Sequence, residues 1–172
     1  NLIYNGHAAE VSTLENQLII IRDPYDRFCS AVNYALEKYS DSPRTKEMIK
    51  NGITTPNDFA EAWSDHLNKN HKIVIEEVTN GQHYIDNVFI PLKWTYTPQY
   101  YWINLKNIKY VVLFENLNMF FKQKFNLDLP NENSTSSSNY LSDRSKHFIN
   151  MIYKKDFELY YKMKAKINKK YR

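Results

Sequence analysis

Residues 18–21, Leu18-Ile19-Ile20-Ile21, form a short unbroken apolar run, which predicts a strand covered on both faces in a parallel sheet. Arg22 and Asp23 end the run, and a helical period begins at once. Phe28, Val32, Ala35 and Leu36 recur at i, i+4, i+7 and i+8, while Arg27, Ser30 and Tyr34 share the opposite, polar stripe. Asp23 is a good N-cap, Pro24 suits the first helical position, and Asp26 completes a box-like cap. Ser40-Asp41-Ser42-Pro43 then breaks the pattern, residues 44–51 predict a short helix, and Gly52 predicts a turn. Thr55-Pro56-Asn57-Asp58 opens another helix through Leu67, with Phe59, Ala62, Trp63 and Leu67 on its apolar face.

Further along, residues 72–84 are ambiguous: Ile73-Val74-Ile75 has strand character and Asn80-Gly81 is a turn signal. Residues 85–104 read as a loop rich in Trp and Tyr. Residues 109–114 predict a second buried strand, 116–125 a helix and 131–139 a polar loop. Residues 142–170 predict one long closing helix. Strands and helices in this order, with no internal repeat, imply a single α/β domain over residues 1–172, with a central parallel sheet flanked by helices.

Composition narrows the class. An apolar content of 42% and an aromatic content of 15% over 172 residues predict a folded globule rather than a disordered chain. No run approaches the length of a membrane span, so no membrane segment is expected. Cys29 is the single cysteine, which rules out an internal disulfide, leans toward a reducing compartment and, with scattered histidines, indicates no zinc site. Asn133-Ser134-Thr135 matches the glycosylation sequon, a pattern short enough to recur by chance. The net charge of +4 suits an anionic partner. Lys162, Lys164, Lys166, Lys169, Lys170 and Arg172 crowd one end, as either a contact for a polyanion or a solvated helix terminus. No base-stacking platform accompanies them, so nucleic acid is not expected as a partner.

Arg22 is expected at the carboxyl end of a strand, with Ser30 near the start of the next helix. In open α/β sheets ligands bind in that crevice, and helix N-termini there favour phosphate. A guanidinium can give two parallel hydrogen bonds to phosphate oxygens. The plainer alternative is an ion pair between Arg22 and Asp23 beside a helix cap.

Arg22-Asp23-Pro24-x-x-Arg27-x-x-Ser30 after an apolar strand resembles the 3′-phosphate-binding motif of sulfotransferases that use 3′-phosphoadenosine-5′-phosphosulfate (PAPS). The likeness is to the Golgi-type carbohydrate sulfotransferases, in particular the heparan sulfate 2-O-sulfotransferase group. Tyr4-Asn5-Gly6-His7 is similar to the family's Gly-His segment, and Thr97-Pro98-Gln99 to its Pro-Gln segment. Val111-Val112-Leu113-Phe114-Glu115-Asn116-Leu117 resembles its late strand and helix start, and Tyr153-x-x-Asp156-Phe157 its closing helix.

The resemblance implies a P-loop-like sulfotransferase fold. It also implies a reaction that moves a sulfuryl group from PAPS to a hydroxyl of a carbohydrate acceptor, releasing adenosine 3′,5′-bisphosphate. Carried over by position, Arg22 and Ser30 hold the 3′-phosphate and His7 is the catalytic base. Arg27 matches the family's second Arg, with a structural ion pair as its alternative role. Trp94, Tyr96, Tyr100, Tyr101 and Trp102 either stack on sugar rings or pack under their own loop. Lys93 and Gln99 are polar residues of that segment that would face the cleft, and 134–138 is either where the family places hydroxyls and backbone N–H groups near the 3′-phosphate or a flexible surface loop.

One element of the family pattern is missing. The Gly- and Ser/Thr-rich loop that cradles the 5′-phosphosulfate has no counterpart, because Gly6, Gly52 and Gly81 are the only three glycines and none lies in such a loop. Either a segment carrying the loop precedes Asn1, which is the expectation, or the protein is a non-catalytic nucleotide- or glycan-binding relative. A kinase-like P-loop protein is disfavoured, since no Gly-x-x-x-x-Gly-Lys-Ser/Thr motif exists. The expected location is the cytoplasm for a bacterial or viral enzyme, a source the abundance of Lys, Asn, Ile and Tyr would fit, or the Golgi membrane if an anchor precedes this chain.

Overall fold

The apolar run becomes strand β1 (Gln17–Ile21), and the helical period that follows becomes α1 (Pro24–Lys38). A computed structural model describes residues 17–69, 98–103, 108–130 and 139–170 of the chain. After α1 come α2 (Pro43–Lys50), α3 (Pro56–Lys69), a 3₁₀ turn at Gln99–Trp102 and strand β2 (Ile108–Leu113). A second 3₁₀ turn (Phe114–Asn116) leads into α4 (Leu117–Phe125), and α5 (Asp143–Ile152) and α6 (Lys154–Lys170) close the chain. The result is a mixed α/β structure, mostly helical, whose sheet among the described residues is two-stranded. Residues 72–84 and the greater part of the Trp- and Tyr-rich segment lie outside the described residues. Where that segment is described, the expected loop is a 3₁₀ turn instead.

β1 and β2 run parallel, with Ile19 opposite Val111 and Ile21 opposite Leu113. Parallel strands cannot be joined by a hairpin, and here a long crossover separates them, with three helices among its described residues. The expectation that β1 is covered on both faces fails at Ile20, which is 37% exposed beside an almost fully buried Ile21. Alternate positions of a strand face opposite sides, so one face of β1 is sealed more completely than the other.

The chain divides into two compact units that it enters alternately. The sheet unit contains β1, both 3₁₀ turns, β2, α4 and most of α6. Its core is Ile21, Leu113 and Tyr160, with Ile19, Val111, Leu159, Met163 and Ile167 packed against them. Leu159, Met163 and Ile167 follow one another at four-residue steps, the spacing that lays a single stripe of α6 against the strands.

The helical unit contains α1, α2, α3 and α5, and its centre is a chain of aromatic rings. Phe28 of α1 lies 5.9 Å from Phe59 of α3, Phe59 lies 5.9 Å from Trp63, and Trp63 lies 5.3 Å from Phe148 of α5. Tyr153 sits 6.3 Å from Phe28 in an edge-to-face arrangement. Such tilted and edge-to-face pairs suit the ring quadrupole and add about 0.5–1.5 kcal/mol each beyond their burial.

Tyr153 also explains where the expected single closing helix divides. It leaves the α region at φ −102° and ψ 22°, still donating its N–H to the Ile149 carbonyl at 2.9 Å, and it is 1% exposed. Burial of its ring outweighs continuation of the helix, so α5 ends and α6 restarts at Lys154.

Local signals set the other helix ends. Ser42 caps α2 by accepting the Thr45 N–H at 3.1 Å. At α3, Thr55 Oγ1 accepts the Asp58 N–H at 3.1 Å, and the Asp58 carboxylate reaches back to the Thr54 and Thr55 N–H groups at 3.1 and 2.9 Å. This reciprocal capping box satisfies donors that the first helical turn leaves unpaired.

Two outcomes follow from this packing. Phe28→Ala should lower the free energy of unfolding by about 3–5 kcal/mol, read from urea denaturation, because the ring is buried among Phe59 and Tyr153. At Asp58, burial pushes the carboxyl up, but hydrogen bonds from Thr54 and Thr55 outweigh it and hold the carboxyl below its ordinary value. A depressed folded-state value means that the charged carboxylate stabilises the fold above the unfolded-state value, and that this contribution is lost as pH falls through the folded-state value. Asp58→Asn should therefore cost about 1 kcal/mol at neutral pH, and thermal unfolding curves of the two proteins should converge on acidification.

Candidate functional site at the carboxyl end of the first strand

Arg22 directly follows β1, and its backbone is held from outside the strand. The Gln99 side-chain oxygen accepts the Arg22 N–H at 3.3 Å, and the Gln99 side-chain nitrogen donates to the Ile20 carbonyl at 3.2 Å. In a parallel sheet, one residue of a neighbouring strand bonds the carbonyl of residue i and the N–H of residue i+2. The Gln99 amide, with an acceptor on one end and donors on the other, reproduces that pattern with a single side chain.

Gln99 is fixed in turn by Asp156. The two carboxylate oxygens accept the backbone N–H groups of Gln99 at 2.7 Å and Tyr100 at 2.8 Å. These N–H groups open the 3₁₀ turn, which begins after Pro98 with no side-chain cap of its own. Asp156 lies in the first turn of α6, where the helix dipole also favours a negative charge. The carboxylate thus serves two helical N-termini at once while only 3% exposed. A buried carboxylate requires such donors, because burial without them costs several kcal/mol.

The Arg22 guanidinium lies over the Phe114 ring, 4.5 Å from its centroid. Phe114, expected as the last residue of the second strand, instead opens the 3₁₀ turn after β2 and is 48% exposed. Stacking engages the planar face of a guanidinium, whereas anions are bound along its edge. Next to Phe114, Glu115 accepts a hydrogen bond from the Tyr160 hydroxyl at 2.7 Å, and Lys164 donates to the same hydroxyl at 3.2 Å. A second cation lies close by in the chain of contacts, since Lys155 sits over the Tyr100 ring at 4.8 Å. The carboxyl ends of both strands are therefore tied to α6, β1 through Gln99 and Asp156 and β2 through Glu115 and Tyr160.

Ser30 occupies the second turn of α1 in the helical unit, half-buried, as is Arg27. Arg22 belongs to the sheet unit. His7, Lys93, Trp94, Tyr96 and residues 134–138 lie outside the described residues. Tyr101 and Trp102 complete the 3₁₀ turn with Gln99 and Tyr100. Asn139, at the end of the polar segment, is described: its side-chain oxygen accepts from Asn33 at 3.3 Å within the helical unit.

Gln99 is expected from the sequence as a polar residue facing the cleft and Asp156 only as part of a pattern; in the structure the Gln99 side chain bonds the backbone of Ile20 and Arg22. The link between Gln99 and Asp156 joins positions 57 apart and has no periodic signature. Phe114 as the platform for Arg22 was likewise invisible, since it required the parallel register of β1 and β2.

Among the described residues, no group of three or more His, Cys, Asp or Glu side chains could hold a metal ion, and no helix is long and apolar enough to cross a membrane. The chain matches no protein-family model, no curated protein and no solved structure.

Asp156→Ala should destabilise the protein by about 3 kcal/mol, because two charge-assisted hydrogen bonds are removed and two N–H groups lose their acceptor. Asp156→Asn, which keeps one acceptor oxygen, should fall between the two. Urea unfolding gives the free energies, and amide exchange at Gln99 and Tyr100 locates the loss.

Proposed function

We propose that the protein is a sulfotransferase that moves a sulfuryl group from PAPS to a hydroxyl of a carbohydrate acceptor, built on a P-loop-like fold. The observation that carries the reading is the Arg22-Asp23-Pro24-x-x-Arg27-x-x-Ser30 motif set directly after β1 of a parallel pair and running into α1. Its support is strengthened by three further segments of the same resemblance. Pro98-Gln99, Phe114-Glu115 and Asp156-Phe157 are remote in sequence, yet Gln99 bonds Arg22 and Asp156, and Phe114 underlies Arg22.

In this reading the Arg22 guanidinium and the Ser30 hydroxyl donate to the 3′-phosphate of the nucleotide and set its register. PAPS supplies the activated sulfuryl group when bound. His7 accepts the proton of the acceptor hydroxyl as its oxygen bonds to sulfur and the bond from sulfur to the phosphate oxygen breaks, leaving adenosine 3′,5′-bisphosphate. A transfer of this kind relies on positioning and charge stabilisation, much as phosphoryl transfer does. A second reading, a nucleotide- or glycan-binding relative without catalysis, is favoured by one observation: none of the three glycines sits in a donor loop.

The test is a thermal-shift titration with adenosine 3′,5′-bisphosphate beside AMP and ATP. At about 100 times its dissociation constant, a ligand specific for the folded state adds about 2.7 kcal/mol of stability. The reading expects stabilisation by the bisphosphate above the other two, weakened in both Arg22→Ala and Ser30→Ala. Equal response to all three nucleotides, or none, would overturn it. Bisphosphate binding without sulfate transfer to any glycan would select the second reading.

A further inference from the structure

We infer that Gln99, locked by Asp156, is a positioning residue for Arg22: it sets the direction in which the guanidinium leaves β1, and hence the affinity for the 3′-phosphate. This rests on the reading of Arg22 as a phosphate ligand. A strand end is ordinarily aligned by its neighbours in the ladder, and one residue beyond the last pair the backbone is free to turn. Here the residue beyond the strand is the one whose side chain matters. Gln99 bonds the Arg22 N–H at 3.3 Å and the Ile20 carbonyl at 3.2 Å, so the ladder pattern of β1 is carried as far as the Arg22 N–H.

The amide can do this only if its own position is set. Two bonds of 2.7 and 2.8 Å from the backbone of Gln99 and Tyr100 to the buried Asp156 carboxylate provide that anchor. The guanidinium is then fixed at its far end by the Phe114 ring at 4.5 Å. One side chain held at both its backbone and its tip loses little rotamer freedom on meeting an anion, which is the physical content of preorganisation. A flexible Arg at the same position would carry the charge but not the direction.

The experiment measures adenosine 3′,5′-bisphosphate affinity by calorimetry for the wild type, Gln99→Met, Arg22→Ala and the double variant. Gln99→Met keeps the shape of the side chain and removes both hydrogen bonds, and Gln99→Ala serves as a second variant. Amide exchange at Arg22 and the thermal midpoint are recorded on each.

Gln99→Met is expected to lose about tenfold in affinity, with faster exchange at Arg22 and a lowered thermal midpoint, since the Arg22 N–H and the Ile20 carbonyl lose their partner. In the Arg22→Ala background the same change should have no further effect, because residues acting through one another are not additive. Wild-type affinity in Gln99→Met, or an equal loss in both backgrounds, would overturn the inference while leaving the phosphate reading intact. If instead Arg22→Ala binds the bisphosphate as the wild type does, the phosphate reading itself fails and the positioning role falls with it.

Discussion

Burying a carboxylate is permissible only where donors converge on it, and in the sheet unit that constraint falls on Asp156. Its two oxygens take the first two N–H groups of the 3₁₀ turn, and its place in the first turn of α6 adds a favourable dipole. From this one group the rest of the unit's geometry can be traced. The turn is held, so Gln99 is held, so the Arg22 N–H at the end of β1 is held. On the other strand, Tyr160 of the same helix donates to Glu115, four residues after Asp156 and thus on the same side of α6.

The helical unit is organised on a different principle. Its elements meet through rings, from Tyr153 and Phe28 to Phe59, Trp63 and Phe148, and α3 and α5 are also joined by polar bonds at their N-terminal ends. There, Asn57 and Glu61 of α3 accept from Ser142 at the start of α5, at 2.8 and 3.0 Å, and Asn57 also accepts from the fully buried Ser145. Apolar contact supplies the bulk of the stabilisation and directional bonds set the register between helices, a division expected when polar groups are buried only with partners.

These two modes of construction bear on the proposed chemistry. A sulfuryl donor carries charge at both ends of its nucleotide, and discrimination of a 3′-phosphate requires a cation whose position does not relax when the ligand is absent. In the proposed reading, the bonds at the Arg22 backbone and the ring under its side chain would supply that constraint by packing and hydrogen bonding.

Much was legible in the chain because it depends on near neighbours. The run of Leu18 to Ile21, the cap-and-period pattern behind α1, the Pro56 start of α3 and the Gly52 turn, with its φ of +79°, are all local, and each element formed where its residues predict. The candidate cation was legible too, since Arg22 needed only a strand end before it. What the sequence could not contain is the outcome of competition between distant groups. Ile20 stays partly exposed because cover for a strand comes from elsewhere in the chain. The closing helix divides at Tyr153 because burial of one ring beside Phe28 outweighs local propensity, and nothing near Tyr153 in sequence announces Phe28. Above all, the bonds that orient Arg22 come from Gln99 and those that hold Gln99 come from Asp156, links spanning 77 and 57 positions. Periodicity and capping report on contacts within a turn or two, whereas the direction of a functional side chain is decided by whichever distant donor or acceptor the fold delivers to it.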